Sequence, residues 1–68
     1  MTRPKLTTTQ VTRILVTFGV AGKLTLAQHN DYVRITGPEH DRERAWHILM
    51  DQGLSCAPYP DHDDWTRR

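Results

Sequence analysis

The stretch KLTLAQHNDYVRIT, residues 23–36, decides the fold, because it holds two alternating apolar segments on either side of a turn. Every second residue of each segment is aliphatic, which is typical of a strand with one buried face. Asn30 and Asp31 lie between the segments, and both residue types tolerate the backbone angles of a tight turn. A two-residue turn there sets Leu26 opposite Ile35, so all the aliphatic side chains fall on one face. The sequence therefore predicts a β-hairpin.

The residues before this hairpin predict a helix over 8–18. Thr7 and Gln10 have the spacing of a capping box, with Thr7 as the N-cap residue. Apolar side chains follow at helical spacing, namely Val11, Ile14, Leu15 and Phe18. The same stretch is rich in β-branched residues, so a strand is the alternative. Capping and periodicity agree with each other, and they favour the helix.

The residues after the hairpin predict a second helix and a third strand. Pro38 suits the first turn of a helix that ends near Gln52, with Gly53 following it. Residues 54–57 alternate again, and Pro58 ends the strand. The order α-β-β-α-β predicts an α+β two-layer sandwich with a three-stranded sheet of order 2-1-3 and both helices on one face. The second and third strands would form its edges.

The chain divides into three parts on composition. We expect a flexible basic arm over 1–5, one domain over 6–58, and an acidic tail over 59–68 that contains Trp65. The tail is polar and interrupted by prolines, which favours irregular structure. We find no internal repeat in the sequence.

Composition excludes several classes of protein. The chain has 68 residues, which is one domain, and its nine Lys and Arg against eight Asp and Glu give a net charge of +1. Non-specific DNA-binding proteins usually show a clear basic excess. The single cysteine rules out an internal disulfide, and no apolar run is long enough to span a bilayer. We therefore expect a cytoplasmic protein with no membrane association.

The uncovered side of the predicted sheet is the candidate partner-binding surface. It would carry Thr25, Ala27, Tyr32, Arg34, Ser55, Ala57 and Tyr59. Tyrosine and arginine are favoured at protein interfaces, and an exposed Trp65 in the tail would add an anchor. The predicted contact residues are therefore Tyr32, Arg34, Tyr59 and Trp65. Three alternatives stay open: an ordinary solvated face, a surface that stacks RNA bases, and a Trp65 that folds back onto the core.

No catalytic residues, metal ligands or cofactor are predicted. Cys56 alternates onto the core face, where a cysteine behaves as a small hydrophobe. The acidic residues around His62 match no calcium-binding loop. His40, Glu43 and His47 share a helix without the spacing of a metalloprotease motif. We therefore expect neither an enzyme nor a small-molecule substrate.

Two stretches carry a resemblance, GPEHDRERAW at 37–46 and PYPDHDDW at 58–65. In size, composition and style the chain resembles small orphan accessory proteins of actinobacterial phages. The resemblance implies action by binding a host or phage macromolecule, and it transfers no functional residue.

We therefore expect a small non-enzymatic module that binds a protein partner or a second copy of itself. The alternative is a nucleic-acid-binding module that uses the same face together with the basic residues Arg3, Lys5 and Arg13.

Overall fold

The computed structural model describes residues 5–20 and 22–67. The elements in chain order are α1 (Thr8–Thr17), β1 (Thr25–Gln28), β2 (Val33–Thr36), α2 (Glu39–Asp51), β3 (Leu54–Pro58) and β4 (His62–Arg67). The α+β class is confirmed.

Helix α1 begins at the predicted capping box. The Thr7 hydroxyl accepts the backbone N–H of Gln10, and the Gln10 side chain accepts the backbone N–H of Thr7. Leu6, before the cap, and Val11 are both buried in the core, in the positions of a hydrophobic staple. The predicted helix is therefore confirmed and the strand alternative is wrong, because the β-branched residues do not prevent the helix.

The hairpin of β1 and β2 has the predicted register, with Leu26 opposite Ile35. Its turn is closed by a hydrogen bond from the backbone N–H of His29 to the carbonyl of Tyr32, at 2.9 Å. Gln28 ties the hairpin to α1, because its side chain accepts the backbone N–H of Thr8 and donates to the carbonyl of Leu6.

The sheet has four strands in the order β1-β2-β4-β3, all antiparallel, so the predicted three strands and the order 2-1-3 are wrong. The expected tail is wrong over 62–67, because these residues form β4, a central strand between β2 and β3. The edges are consequently β1 and β3, and β2 is internal. Residues 1–4 of the expected arm lie outside the described residues, and Lys5 is exposed.

Strand β4 is central because its alternate side chains fit the core. Trp65 is completely buried, and it lies opposite Val33 on one side and Cys56 on the other. Asp63 also points to the core side and is 7% exposed. Its charge is matched by Arg42 of α2, whose Nη1 lies 3.5 Å from the Asp63 carboxylate. The strand could not be recognised from local polarity, because that partner lies far away along the chain.

Both helices cover the same side of the sheet. One cluster joins the buried residues of both helices to the buried residues of the sheet, and its members include Val11, Leu15, Ala45, Leu49, Val33, Ile35, Leu54 and Trp65. The opposite side of the sheet carries exposed and half-buried residues. The helices and the sheet therefore form two layers.

The chain consists of two copies of one structural unit, α-β-β. Hairpin residues 24–36 and 54–66 have the same order of buried, half-buried and exposed positions at twelve of 13 places. Each residue of the first hairpin has an equivalent 30 positions later in the second. When equivalent residues are exchanged, every strand pairing among them is reproduced, and Arg34 and Asp64 form the central pair. The sequence shows no internal repeat, and this one is visible in the structure.

The helices follow the same repeat at a different spacing. Gly19 and Gly53, which follow the ends of α1 and α2 with φ of 72° and 83°, are 34 residues apart. Leu24 and Leu54, which open the hairpins, are 30 residues apart. A connection four residues longer in the first unit accounts for the difference, and the two units form the sheet around an approximate two-fold axis.

Candidate protein-binding face

We call the side of the sheet away from the helices the open face. By strand alternation and register it comprises Thr25, Ala27, His29, Tyr32, Arg34, Thr36, Ser55, Ala57, Tyr59, His62, Asp64 and Thr66. These residues are exposed or half-buried. The seven that the sequence placed on this face are all there.

An ion pair occupies the centre of the open face. The Nε of Arg34 donates to Asp64 at 3.0 Å, and its Nη2 lies 3.4 Å from the second carboxylate oxygen. The two residues face each other across β2 and β4. The hydrogen bond to Asp64 raises the pKa of Arg34 further above its ordinary value. The pair fixes the guanidinium in place and leaves the centre of the face without net charge.

A stacked pair of rings closes each hairpin. The rings of His29 and Tyr32 lie 4.7 Å apart and nearly parallel, and those of Tyr59 and His62 lie 4.6 Å apart. The two pairs occupy equivalent positions in the repeat, at opposite ends of the face. Along the central strands the two ring pairs are four residues apart, and each residue spans about 3.3 Å. The ring pairs therefore lie roughly 13 Å apart along the strand direction.

Two carboxylates hold the ring of His62. Its Nδ1 lies 2.7 Å from Asp61, and its Nε2 lies 3.9 Å from Asp64. The hydrogen bond from His62 holds the pKa of Asp61 below its ordinary value. The guanidinium of Arg34 restrains the other pair of rings, because it lies 5.7 Å from the centre of the Tyr32 ring. The aromatic groups of the face are therefore held in place before any partner binds.

Three of the four predicted contact residues, Tyr32, Arg34 and Tyr59, lie together on the open face. Trp65 does not, because it is completely buried on the opposite side of the sheet. The expectation that Trp65 is an exposed anchor is wrong, and the alternative that it joins the core is correct. Residue 65 belongs to a strand, and alternation from Asp64 turns its side chain inward.

His29, His62 and Asp64 also belong to this site and were not predicted from the sequence. A signal for the histidines was present, since each stands three residues from a tyrosine across a turn, in His29–Tyr32 and Tyr59–His62. Asp64 carried no such signal, because its partner Arg34 is 30 residues away.

The described residues include Cys56 and the side chains that could bind a metal ion. Burial, with Asp63 and Asp64 nearby, raises the pKa of the Cys56 thiol to about 11, so the thiolate is scarce at neutral pH. Residues 5–20 and 22–67 contain no group of three or more His, Cys, Asp or Glu side chains that could hold a metal ion. Within the same ranges, no helix is long and apolar enough to cross a membrane.

Comparison of the chain with protein-family models, with curated proteins and with solved structures finds no match.

Proposed function

We propose that this protein is a small non-enzymatic module that binds another protein through the open face, in the manner of a phage accessory protein acting on a host or phage protein. One observation carries the proposal: the face combines two pre-positioned aromatic pairs, half-buried apart from the exposed Tyr59, with a centre whose charges cancel. Tyrosine stacks and restrained arginines contribute affinity to protein interfaces at low cost in side-chain entropy. The lone cysteine fits the cytoplasm as the place of action.

The charge of the face favours a protein over a nucleic acid. Binding of nucleic acid derives much of its affinity from free Lys and Arg that contact phosphates. The basic side chain of the open face, Arg34, is already paired with Asp64. Arg13 belongs to α1, on the other side of the sheet, and Arg3 lies outside the described residues. Arg34 is therefore not free to contact phosphates, and Arg13 does not lie on this face.

The size of the face predicts a weak or extended contact. Four strands about 4.8 Å apart and about five residues long give roughly 300 Å². A stable complex buries about 800 Å² on each partner. The partner therefore binds transiently, or it also contacts an edge strand, β1 or β3, by strand addition. A second copy stacked face to face would form a weak dimer for the same reason.

Photocrosslinking from two positions tests the proposal. A photoreactive residue at Ala27, exposed on the open face, is compared in host lysate with one at Arg44, exposed on α2. We expect a discrete protein adduct from position 27 alone. Unlabelled wild-type protein should compete for it, and the double variant Tyr32→Ser, Tyr59→Ser should not. Equal adducts from both positions would refute the proposal, as would a gel shift on nucleic acid that weakens steeply with salt.

A further inference from the structure

A groove separate from the open face lies between α2 and the turn of the second hairpin. It has a volume of about 290 Å³. Its lining residues are Glu39, Arg42, Glu43, Trp46, Pro58, Tyr59, Pro60 and Asp63. Among these, Tyr59 alone also belongs to the open face. The groove is thus built from one side of a helix and from the end of β3 with the turn that follows it. Pro58 and Pro60 lie there, and proline has little freedom to rearrange.

The groove carries an excess of negative charge, because its single cation is already engaged. The Arg42 guanidinium donates to the carbonyls of Gly37 and Pro60, both at 3.1 Å, and its Nη1 lies 3.5 Å from Asp63. Glu39 and Glu43 form no ion pair with any side chain in the described part of the molecule. Three carboxylates against one occupied guanidinium leave two formal negative charges facing the cavity.

Aromatic and proline side chains line the same groove. Trp46 and Tyr59 are 38% and 49% exposed, although both are large and apolar. A tryptophan ring attracts cations, and the attraction is strongest where the cation loses water. The carboxylates are too dispersed for a metal ion, since no group of three metal-binding side chains occurs within residues 5–20 and 22–67. The combination suits an extended cation with several N–H donors.

We infer that this groove binds an arginine side chain presented by a partner protein. The planar guanidinium stacks on Trp46, and its N–H groups reach the carboxylates of Glu43 and Glu39 at the rim. Arginine fits better than lysine, because its fork of donors can reach two carboxylates while its face stays on a ring. The inference goes beyond the open face, and each of the two surfaces can fail its test without the other.

Titration with a blocked peptide, acetyl-Gly-Arg-Gly-amide, tests the inference by NMR on the full chain. The same peptide with citrulline in place of arginine keeps the shape and removes the charge. The indole N–H of Trp46 and the backbone amides of Tyr59 and of residues 61–63 should shift and saturate with the arginine peptide alone. The indole N–H of the buried Trp65 serves as an internal reference and should not move.

Variants on the same helix complete the test. Glu43→Gln should raise the dissociation constant of the arginine peptide about two- to fivefold, which is the effect of losing one exposed ion pair. Asp51→Asn removes a charge at the far end of α2, outside the groove, and should leave it unchanged. Non-saturating shifts, equal shifts with citrulline, or equal weakening by both variants would overturn the inference. A lysine peptide that binds more tightly than arginine would overturn the choice of guanidinium.

Discussion

At the scale of single residues, β4 brings a large aromatic ring and a carboxylate into the same small core. Trp65 fills the space between the sheet and the helices, and its indole Nε1 is buried with no hydrogen-bond partner among the described residues. Asp63 is buried beside it against Arg42. An unpaired buried donor and a buried charge both reduce stability, so the apolar area of Trp65 must outweigh them.

Truncation of Trp65 should therefore come close to unfolding the protein. Trp65→Ala should lower the free energy of unfolding by about 3–5 kcal/mol, which is most of what a domain of this size possesses. Trp65→Phe, which removes the unpaired N–H and keeps a ring, should cost less. Trp46→Ala is the control at a partly exposed site, and it should cost under about 1 kcal/mol. Urea unfolding followed by circular dichroism measures all three; equal losses at positions 46 and 65 would contradict the burial of Trp65.

Two acids separated by one residue should have opposite effects on the pH dependence of stability. Burial raises the pKa of Asp63 in the fold, despite the opposing charge of Arg42, so its contribution is largest below its unfolded pKa and is lost as pH rises. The hydrogen bond from His62 lowers the pKa of Asp61, so its contribution is present above its unfolded pKa and is lost as pH falls.

Urea unfolding of Asp63→Asn and Asp61→Asn across the acidic range measures this difference. As pH rises through about 4, the wild type should lose stability relative to Asp63→Asn and gain stability relative to Asp61→Asn. Slopes of the same sign for both variants would contradict the assignment.

At the scale of elements, local contacts fix how each unit is joined. Gln28 forms three side-chain hydrogen bonds that connect β1, the start of α1 and the first turn, at 2.9–3.0 Å. Gly37, between β2 and α2, has a φ of 145°. A Cβ atom there would lie 2.9 Å from both the carbonyl oxygen of Lys23 and a methyl of Leu24. Gln28 therefore holds the first unit together, and Gly37 lets the connection to the second unit pack closely against it.

Loss of the Gln28 side chain should loosen the attachment of α1. Gln28→Ala should lower the free energy of unfolding by about 1–2 kcal/mol, because backbone groups of Thr8 and Leu6 lose their partners. Thr12→Ala, at an exposed helical position, is the control and should be neutral or slightly stabilising. Chemical denaturation of both variants gives the comparison, and a neutral Gln28→Ala would show that the link contributes nothing.

The glycine at position 37 should not tolerate a side chain. Gly37→Ala combines an unfavourable φ with a backbone clash, so it should cost about 1–3 kcal/mol. Gly22→Ala meets only open space and should be close to neutral. Thermal unfolding of the pair separates the two expectations, and equal melting temperatures would show that the close approach of residues 23, 24 and 37 is wrong.

At the scale of the whole molecule, the two α-β-β units depend on each other, because β2 and β4 pair along the approximate two-fold axis. A chain ending at residue 58 would lack a central strand, so β2 would keep only β1 as a neighbour and β3 would have none. We expect it to be unfolded by circular dichroism, whereas an autonomous domain over 6–58 would retain its helices and its cooperative transition.

The parts of this fold that were predictable from sequence are those with local signals. The capping box at Thr7 and the turn at Asn30 specify α1 and the first hairpin within a few residues of themselves. The burial of Asp63 in β4 depends on Arg42, which is far away along the chain. The residues next to Asp63 alone therefore indicate a polar tail. The repeat is hidden because the two hairpins share few residue types and the helices repeat at another spacing.

The candidate site follows the same division. Tyr32, Arg34 and Tyr59 could be placed on the open face by alternation alone, since each belongs to or borders a strand that had been recognised. Trp65 was misplaced because its strand, β4, had not been recognised. The ion pair of Arg34 with Asp64 needed the pairing of β2 with β4, which no local pattern indicated.

The central claim is that one side of the sheet is bare while the other is packed against the helices. The loss of methyl NMR signal caused by a soluble paramagnetic agent tests this claim on the monomer. Ala27 and Ala57, equivalent positions on the two sides of the axis, should lose signal together. The methyls of Val33 and Ile35, which are fully buried, should be protected. Protection of Ala27 and Ala57 to the level of Val33 would contradict the account, because the surface proposed to bind a partner would then be sealed within the molecule.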